Sequence, residues 1–141
     1  MKYLTIITSL LLFTFLLNNN LKAQNKLYPD QFPLSDVSLL EGPFKQARDL
    51  NLEVLLKYDV DRLLAPYRKE AGLPEKAKSY PNWDGLDGHV GGHYLSAMAM
   101  YYASTGNPEC KKRMDYMISE LKVIQDANAK NNPSWGVGYV G

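Results

Sequence analysis

Cysteine occurs once in these 141 residues, and histidine and tryptophan twice each. The lone Cys110 excludes an intramolecular disulfide framework, and it cannot complete a thiolate metal cage alone. Two histidines are few for a catalytic metal centre, which generally takes three protein ligands. An excess of one charge is also lacking: 16 Lys and Arg stand against 15 Asp and Glu, a formal net charge of +1. That balance carries no electrostatic footprint for nucleic acid or an anionic membrane surface. No nucleophile-elbow, P-loop or dinucleotide fingerprint is present. The glycines of 136–141 lack the strand-to-helix context of a phosphate loop. Tandem repeats and low-complexity tracts are missing too.

What remains is a globular composition, 45% hydrophobic and 22% charged, with room for one ordinary domain. The first 23 residues read as a signal peptide. Lys2 supplies the positive start, Leu4 to Leu17 form a 14-residue uncharged apolar run, and Leu21-Lys22-Ala23 ends in a small residue suited to cleavage. The run is short of the roughly 20 residues that span a bilayer. A lipoprotein signal would need a Cys at the cleavage point, and Cys110 is far away. Export to a periplasm or beyond is therefore expected. Losing Lys2 and Lys22 leaves 14 basic against 15 acidic residues, and nothing then calls for a membrane.

The mature part, 24–141, begins with a Pro-bearing lead-in to Ser35. Val37 to Leu40 is a candidate strand. Pro43 suits a first helical position, and Phe44, Ala47, Leu50, Val54 and Tyr58 repeat every three or four residues. One helix is expected over 43–65, stopped by Pro66. Ala71-Gly72-Leu73-Pro74 is a helix-terminating signal. A second helix is expected over 88–104, with Asp87 as its N-cap and Thr105-Gly106 as its end. A third follows over 108–129, from Asn107-Pro108, with Met114, Met117, Ile118, Leu121, Ile124 and Gln125 tracing one face. Long helices with short links favour antiparallel hairpins. The chain stops at Gly138-Tyr139-Val140-Gly141 without a terminus signal, and is expected to be the front of something longer.

Chemistry concentrates in 80–96. His89 and His93 are spaced i,i+4, so a helix places both on one face. That spacing can hold a metal ion, with Asp84 and Asp87 as oxygen donors. The zincin motif, however, needs Glu where Val90 stands. The alternatives are helix-start packing and polar contact with a ligand. Gly88, Gly91 and Gly92 cost about 1 kcal/mol each inside a helix, which calls for a close approach by a ligand or another backbone. Trp83, Trp135, Tyr80 and Tyr139 sit in loops, where an aromatic ring either plugs a gap or offers a platform to a sugar. Asp59 and Asp61 are two apart and point about 160° from each other on a helix, so they cannot flank one glycosidic bond together. A capping and ion-pair network is expected of them. Cys110, four before Met114 and seven before Met117, reads as a buried inert thiol.

Four strings, LLEGPFKQARDLN, YDVDRLLAPYRKEAGL, WDGLDGHVGGHYLSAMAMYYASTGN and GYVG, stand in this order from about Phe32 to Gly141. Together they resemble the N-terminal region of glycoside hydrolase family 127 and its relative, family 146, the β-L-arabinofuranosidase-type enzymes. The resemblance implies an all-α segment, the first helical hairpins of an (α/α)6 barrel preceded by a short strand. The rest of the barrel and β-sandwich domains would lie beyond. It also implies retaining hydrolysis by a cysteine nucleophile, activated by a zinc ion on cysteines and a glutamate. Those positions are downstream of the matched segment, and Cys110 matches none of them. No catalytic residue and no cofactor is therefore assigned within this chain, and zinc is expected only in the full-length enzyme. GHVGGH at Gly88 to His93, with Trp83 and Asp84 before it, resembles the family stretch on the substrate side of the barrel. Trp83, Asp84, His89 and His93 are expected to contact sugar. The expected partner is a plant-derived oligo- or polysaccharide, with no nucleic acid. A non-catalytic helical module that binds carbohydrate or protein, and a small zinc hydrolase using the two histidines, are the competing readings.

Overall fold

Among the described residues the chain forms four helices, most of whose ends follow local signals. A computed structural model describes residues 30–81 and 85–141, except for the side chain of Asp87. Residues 1–23, expected to be a signal peptide, lie outside the described residues. A short 3₁₀ turn, Leu34–Asp36, leads to α1 (Pro43–Leu55), α2 (Val60–Glu70), α3 (Asp87–Thr105) and α4 (Pro108–Asn131). A second 3₁₀ turn covers Pro133–Trp135. Residues 32–141 form one compact unit. No strand occurs among the described residues. Val37 has extended angles, but the expected strand over 37–40 has no second segment to pair with. No described helix is long and apolar enough to cross a membrane.

The single helix expected over 43–65 is two helices. At the break, Asp59 leaves helical geometry and caps α2, its side chain accepting from Asp61 N at 2.9 Å. Two backbone groups at the break find partners from elsewhere in the chain. The Tyr58 carbonyl accepts from Arg113 Nη1 at 2.6 Å, and the Asp59 N–H donates to the Tyr80 hydroxyl at 2.8 Å. Pro66 does not stop α2 but lies inside it. Its missing N–H and ring cost about 3 kcal/mol in a helix interior. Burial of Leu63, Leu64, Ala65 and Tyr67 offsets this, at roughly 1.5–3 kcal/mol for each large apolar side chain. The helix ends one turn later where the sequence signals it. Leu73 N–H bonds the Arg68 carbonyl and Gly72 N–H the Lys69 carbonyl, with Gly72 at φ +72°.

The other ends also follow their signals, with one correction. Asn107 caps α4 through Glu109 N at 2.9 Å, and Gly106 closes α3 at φ +69°. Asp87 is the first residue of α3 rather than its cap. Leu86 holds the cap position, without a capping side chain.

The core lies between α2, α3 and α4, around Leu64, Met98, Cys110, Met117 and Ile124. On α4 the buried stripe runs Cys110, Met117, Ile124 and Asn128, while Ile118, expected on that face, is exposed. Asn128 Nδ2 is buried without a hydrogen-bond partner among the described residues. The loop after α2 is strapped down by charge. Arg68 Nη1 pairs with Glu120 at 2.8 Å while its Nε donates to the Pro74 carbonyl at 2.8 Å, and Lys76 reaches the second Glu120 oxygen. Arg62 donates to the Lys78 and Ser79 carbonyls.

α1 stands apart, burying no residue completely. The apolar stripe that repeats along it is open: Phe44 is 80% exposed, Leu50 62% and Val54 44%. The inward side instead carries Leu52 and Leu55, and the Tyr101 hydroxyl ties α1 to α3 by accepting from Asn51 Nδ2 and donating to the Arg48 carbonyl.

Helices α2 and α3 meet at Gly91. A Cβ there would lie 2.3 Å from the Tyr67 hydroxyl oxygen and 3.0 Å from its ring. Gly91→Ala is expected to destabilise this chain by about 1–3 kcal/mol in urea unfolding, the usual range for overpacking. Combined with Tyr67→Phe, its cost should shrink in a double-mutant cycle. A loss below about 0.5 kcal/mol for Gly91→Ala would show that the notch yields freely.

Candidate functional site

Of the four sequence-predicted contact residues, Trp83 and Asp84 lie outside the described residues. The other two are brought together. His89 and His93 occupy the first two turns of α3, both exposed, their rings edge to face with centroids 4.3 Å apart. Gly88, Gly91 and Gly92 turn out to serve different ends. Gly91 admits Tyr67, Gly88 faces the Gly141 carbonyl at 3.4 Å from a would-be Cβ, and Gly92 opens onto free space. The backbone approach expected from the sequence is found at Gly88, while at Gly91 the close neighbour is a side chain.

The histidines line a groove of about 480 Å³ between α1 and α3. Asn51 and Leu55 come from α1, Tyr58 from the break, Leu63 from α2, and Val90, Tyr94 and Ala97 from α3. The lining is apolar and aromatic, with polar groups on Asn51, His89, His93 and the two tyrosines, a composition typical of small-molecule sites. An imidazole can both donate and accept, and an amide has both capacities, so the groove can pair with hydroxyl groups.

Behind the groove sits a group that sequence reasoning missed. Arg113 Nη1 donates to the Tyr58 carbonyl and, at 3.1 Å, to the Tyr94 hydroxyl, while Nε pairs with Glu109 at 2.9 Å. One guanidinium thereby fixes two lining residues. Burial pushes the Tyr94 phenol above its ordinary value, and Arg113 partly counters it. Burial also disfavours the Arg113 cation, but its bonds to Tyr94 and Glu109 outweigh that. Asn51, Tyr94 and Arg113 carried no spacing signal, because they meet only when three helices pack.

Asp59, Asp61, Tyr80 and Cys110 are structural. Asp59 caps a helix, and Asp61 accepts from the Tyr116 hydroxyl at 2.5 Å, which raises the Tyr116 pKa. Tyr80 packs edge-on to Tyr58 beneath the Arg62 guanidinium. Cys110 is fully buried and its thiol is pushed up by that burial, as expected of an inert residue. Among the described residues no three His, Cys, Asp or Glu side chains gather to hold a metal ion. They do not form the cysteine and glutamate zinc site that the resemblance implies.

The family model for the β-L-arabinofuranosidase GH127 catalytic domain matches residues 36–141. The chain belongs to this family. The match covers three-quarters of the sequence and includes all four helices and the groove. Comparison with curated proteins gives no match. Membership places this chain in a glycoside hydrolase family, whose substrates are carbohydrates.

A pH dependence follows from the tyrosine behind the groove. The folded pKa of Tyr94 is raised above 10.0, so its neutral form belongs to the fold. Its contribution is fully present below about pH 10 and is lost as pH rises through the elevated folded value. In urea unfolding between pH 8 and 11, Tyr94→Phe should flatten the alkaline fall in stability. An identical fall in both proteins would contradict the assignment.

Proposed function

We propose that this chain is the N-terminal part of an exported glycoside hydrolase that releases L-arabinofuranose from side chains of plant polysaccharides. The observation that carries the site is the His89 and His93 pair on the wall of an apolar, tyrosine-bearing groove, in a chain of the β-L-arabinofuranosidase family. Export rests on the apolar run Leu4–Leu17 and the Leu21-Lys22-Ala23 exit. The all-helical packing of the described residues supports reading this part as the opening hairpins of a helical barrel. Trp83 and Asp84, just before α3, are proposed to join the histidines at the sugar.

In this reading the groove binds and orients. The tyrosine and aliphatic surface takes the C–H face of a furanose ring, and Asn51, His89 and His93 meet its hydroxyls. Zinc, when bound in the complete enzyme, would lower the pKa of a cysteine nucleophile. Both would reside on residues outside this sequence, since Cys110 is sealed in the core. No step is assigned to that metal here, and the 141-residue chain alone is expected to release no arabinose from an aryl arabinofuranoside.

The test is expression of the gene to its stop codon, with L-arabinose release measured from an aryl β-L-arabinofuranoside. His89→Ala and His93→Ala should each lower kcat/KM by roughly 5- to 150-fold, the equivalent of 1–3 kcal/mol for a lost contact that leaves polar partners unpaired. Zinc content should stay unchanged. Loss of zinc would make them ligands, and unchanged kinetics would leave them as surface residues.

A further inference from the structure

The groove depends on a side chain from a helix that does not line it. Its lining comes from α1, the break, α2 and α3, and α4 contributes nothing. Yet Arg113, on α4, bonds both sides. Its Nη1 donates to the Tyr58 carbonyl at 2.6 Å and to the Tyr94 hydroxyl at 3.1 Å. Tyr58 belongs to the break that ends α1, and Tyr94 follows His93 on α3. Glu109, one turn earlier on α4, accepts from Nε at 2.9 Å and so fixes the plane of the guanidinium.

The rings of Tyr58 and Tyr94 also meet each other, edge to face, with centroids 6.3 Å apart. Contacts of this kind are satisfied over centroid separations of roughly 4.5–7 Å. The rings alone therefore leave the spacing of the two walls loose. Charge-assisted hydrogen bonds are shorter and more directional, and one to each wall removes that slack. The Tyr101 hydroxyl ties the middle of α1 to α3, through Asn51 and the Arg48 carbonyl. Arg113 is the tie at the other end, where Tyr58 and the histidines are.

We propose that Arg113 is a positioning residue for the sugar, holding Tyr58 and Tyr94 so that the groove keeps the width that admits the ring. This rests on the carbohydrate reading of the groove given above. Without Arg113 the walls part and close, and the groove has the binding width for only a fraction of the time. Apparent affinity falls by that fraction. Saturating substrate draws the population back, so the loss falls on KM and not on kcat.

The experiment is steady-state kinetics of the complete enzyme on an aryl β-L-arabinofuranoside, at a temperature where circular dichroism and zinc content show each variant folded like the parent. Arg113→Met should raise KM about tenfold and leave kcat within about twofold. Arg113→Lys keeps the charge but replaces the fork by a single point, and should behave like Arg113→Met. Tyr94→Phe removes the hydroxyl that Arg113 holds and should raise KM about threefold. In that background Arg113→Met should add only about threefold more, because the two groups act as a pair. An unchanged KM in Arg113→Met, a loss confined to kcat, full rescue by Arg113→Lys, or the same rise in both backgrounds overturns the inference. If the Arg113 variants do not fold, Tyr94→Phe decides alone, and an unchanged KM there overturns it. Where His89→Ala lowers kcat/KM and Arg113→Met leaves KM alone, the groove stands and only the role of Arg113 falls. A parent enzyme inactive on the arabinofuranoside overturns both.

Discussion

The ring of Tyr67 is the contact on which the arrangement of this molecule turns. It projects from α2 into the space left by Gly91 on α3, and its other edge lies where a Cβ on Gly141 would meet it at 2.5 Å. One side chain therefore sets the spacing of two helices and seats the loop that follows α4. Because α3 presents Gly88 and Gly91 to this contact, the side chains at 89 and 93 must emerge on a different face. That face is the one α1 approaches, and the groove exists because the two demands are met by one helix.

The second constraint is the break between α1 and α2. A chain that interrupts a helix exposes backbone donors and acceptors that need partners. Arg113 and Tyr80 supply two of them, and both also belong to the groove's surroundings. Arg113 holds the Tyr94 hydroxyl as well, and Tyr80 packs against Tyr58. The direction in which α1 leaves the bundle, and hence the width of the groove, is tied to the charge and aromatic contacts of α4 and of the loop before α3.

The parts of the fold legible in the sequence are those with local causes. Asn107-Pro108, Thr105-Gly106 and Ala71-Gly72-Leu73-Pro74 each act within a few residues, and each places a helix end within a residue or two. The i,i+4 histidines were legible for the same reason. The break at 56–59 was not, because its partners come from 21 and 55 residues away. The continuation of α2 through Pro66 depends on burial that no window around the proline reveals. Apolar periodicity marked a stripe on α1, and its exposure was not legible, since periodicity identifies a face and says nothing of what lies opposite it. Likewise Asn51, Tyr94 and Arg113 join the candidate site through packing alone.

The position of α1 has a consequence for motion. Free energies of local opening range from near zero to the global value, and they follow buried contacts. Helices α2, α3 and α4 share a sealed core, whereas α1 is held by half-buried Leu52 and Leu55 and by the Tyr101 hydroxyl. Amide hydrogens of α1 are therefore expected to exchange with solvent as a separate, weaker unit, without unfolding of the rest. One wall of the groove is therefore able to leave while the histidine-bearing wall stays in place. Anything that binds both walls, a sugar or a neighbouring helix, would slow that exchange in proportion to its affinity.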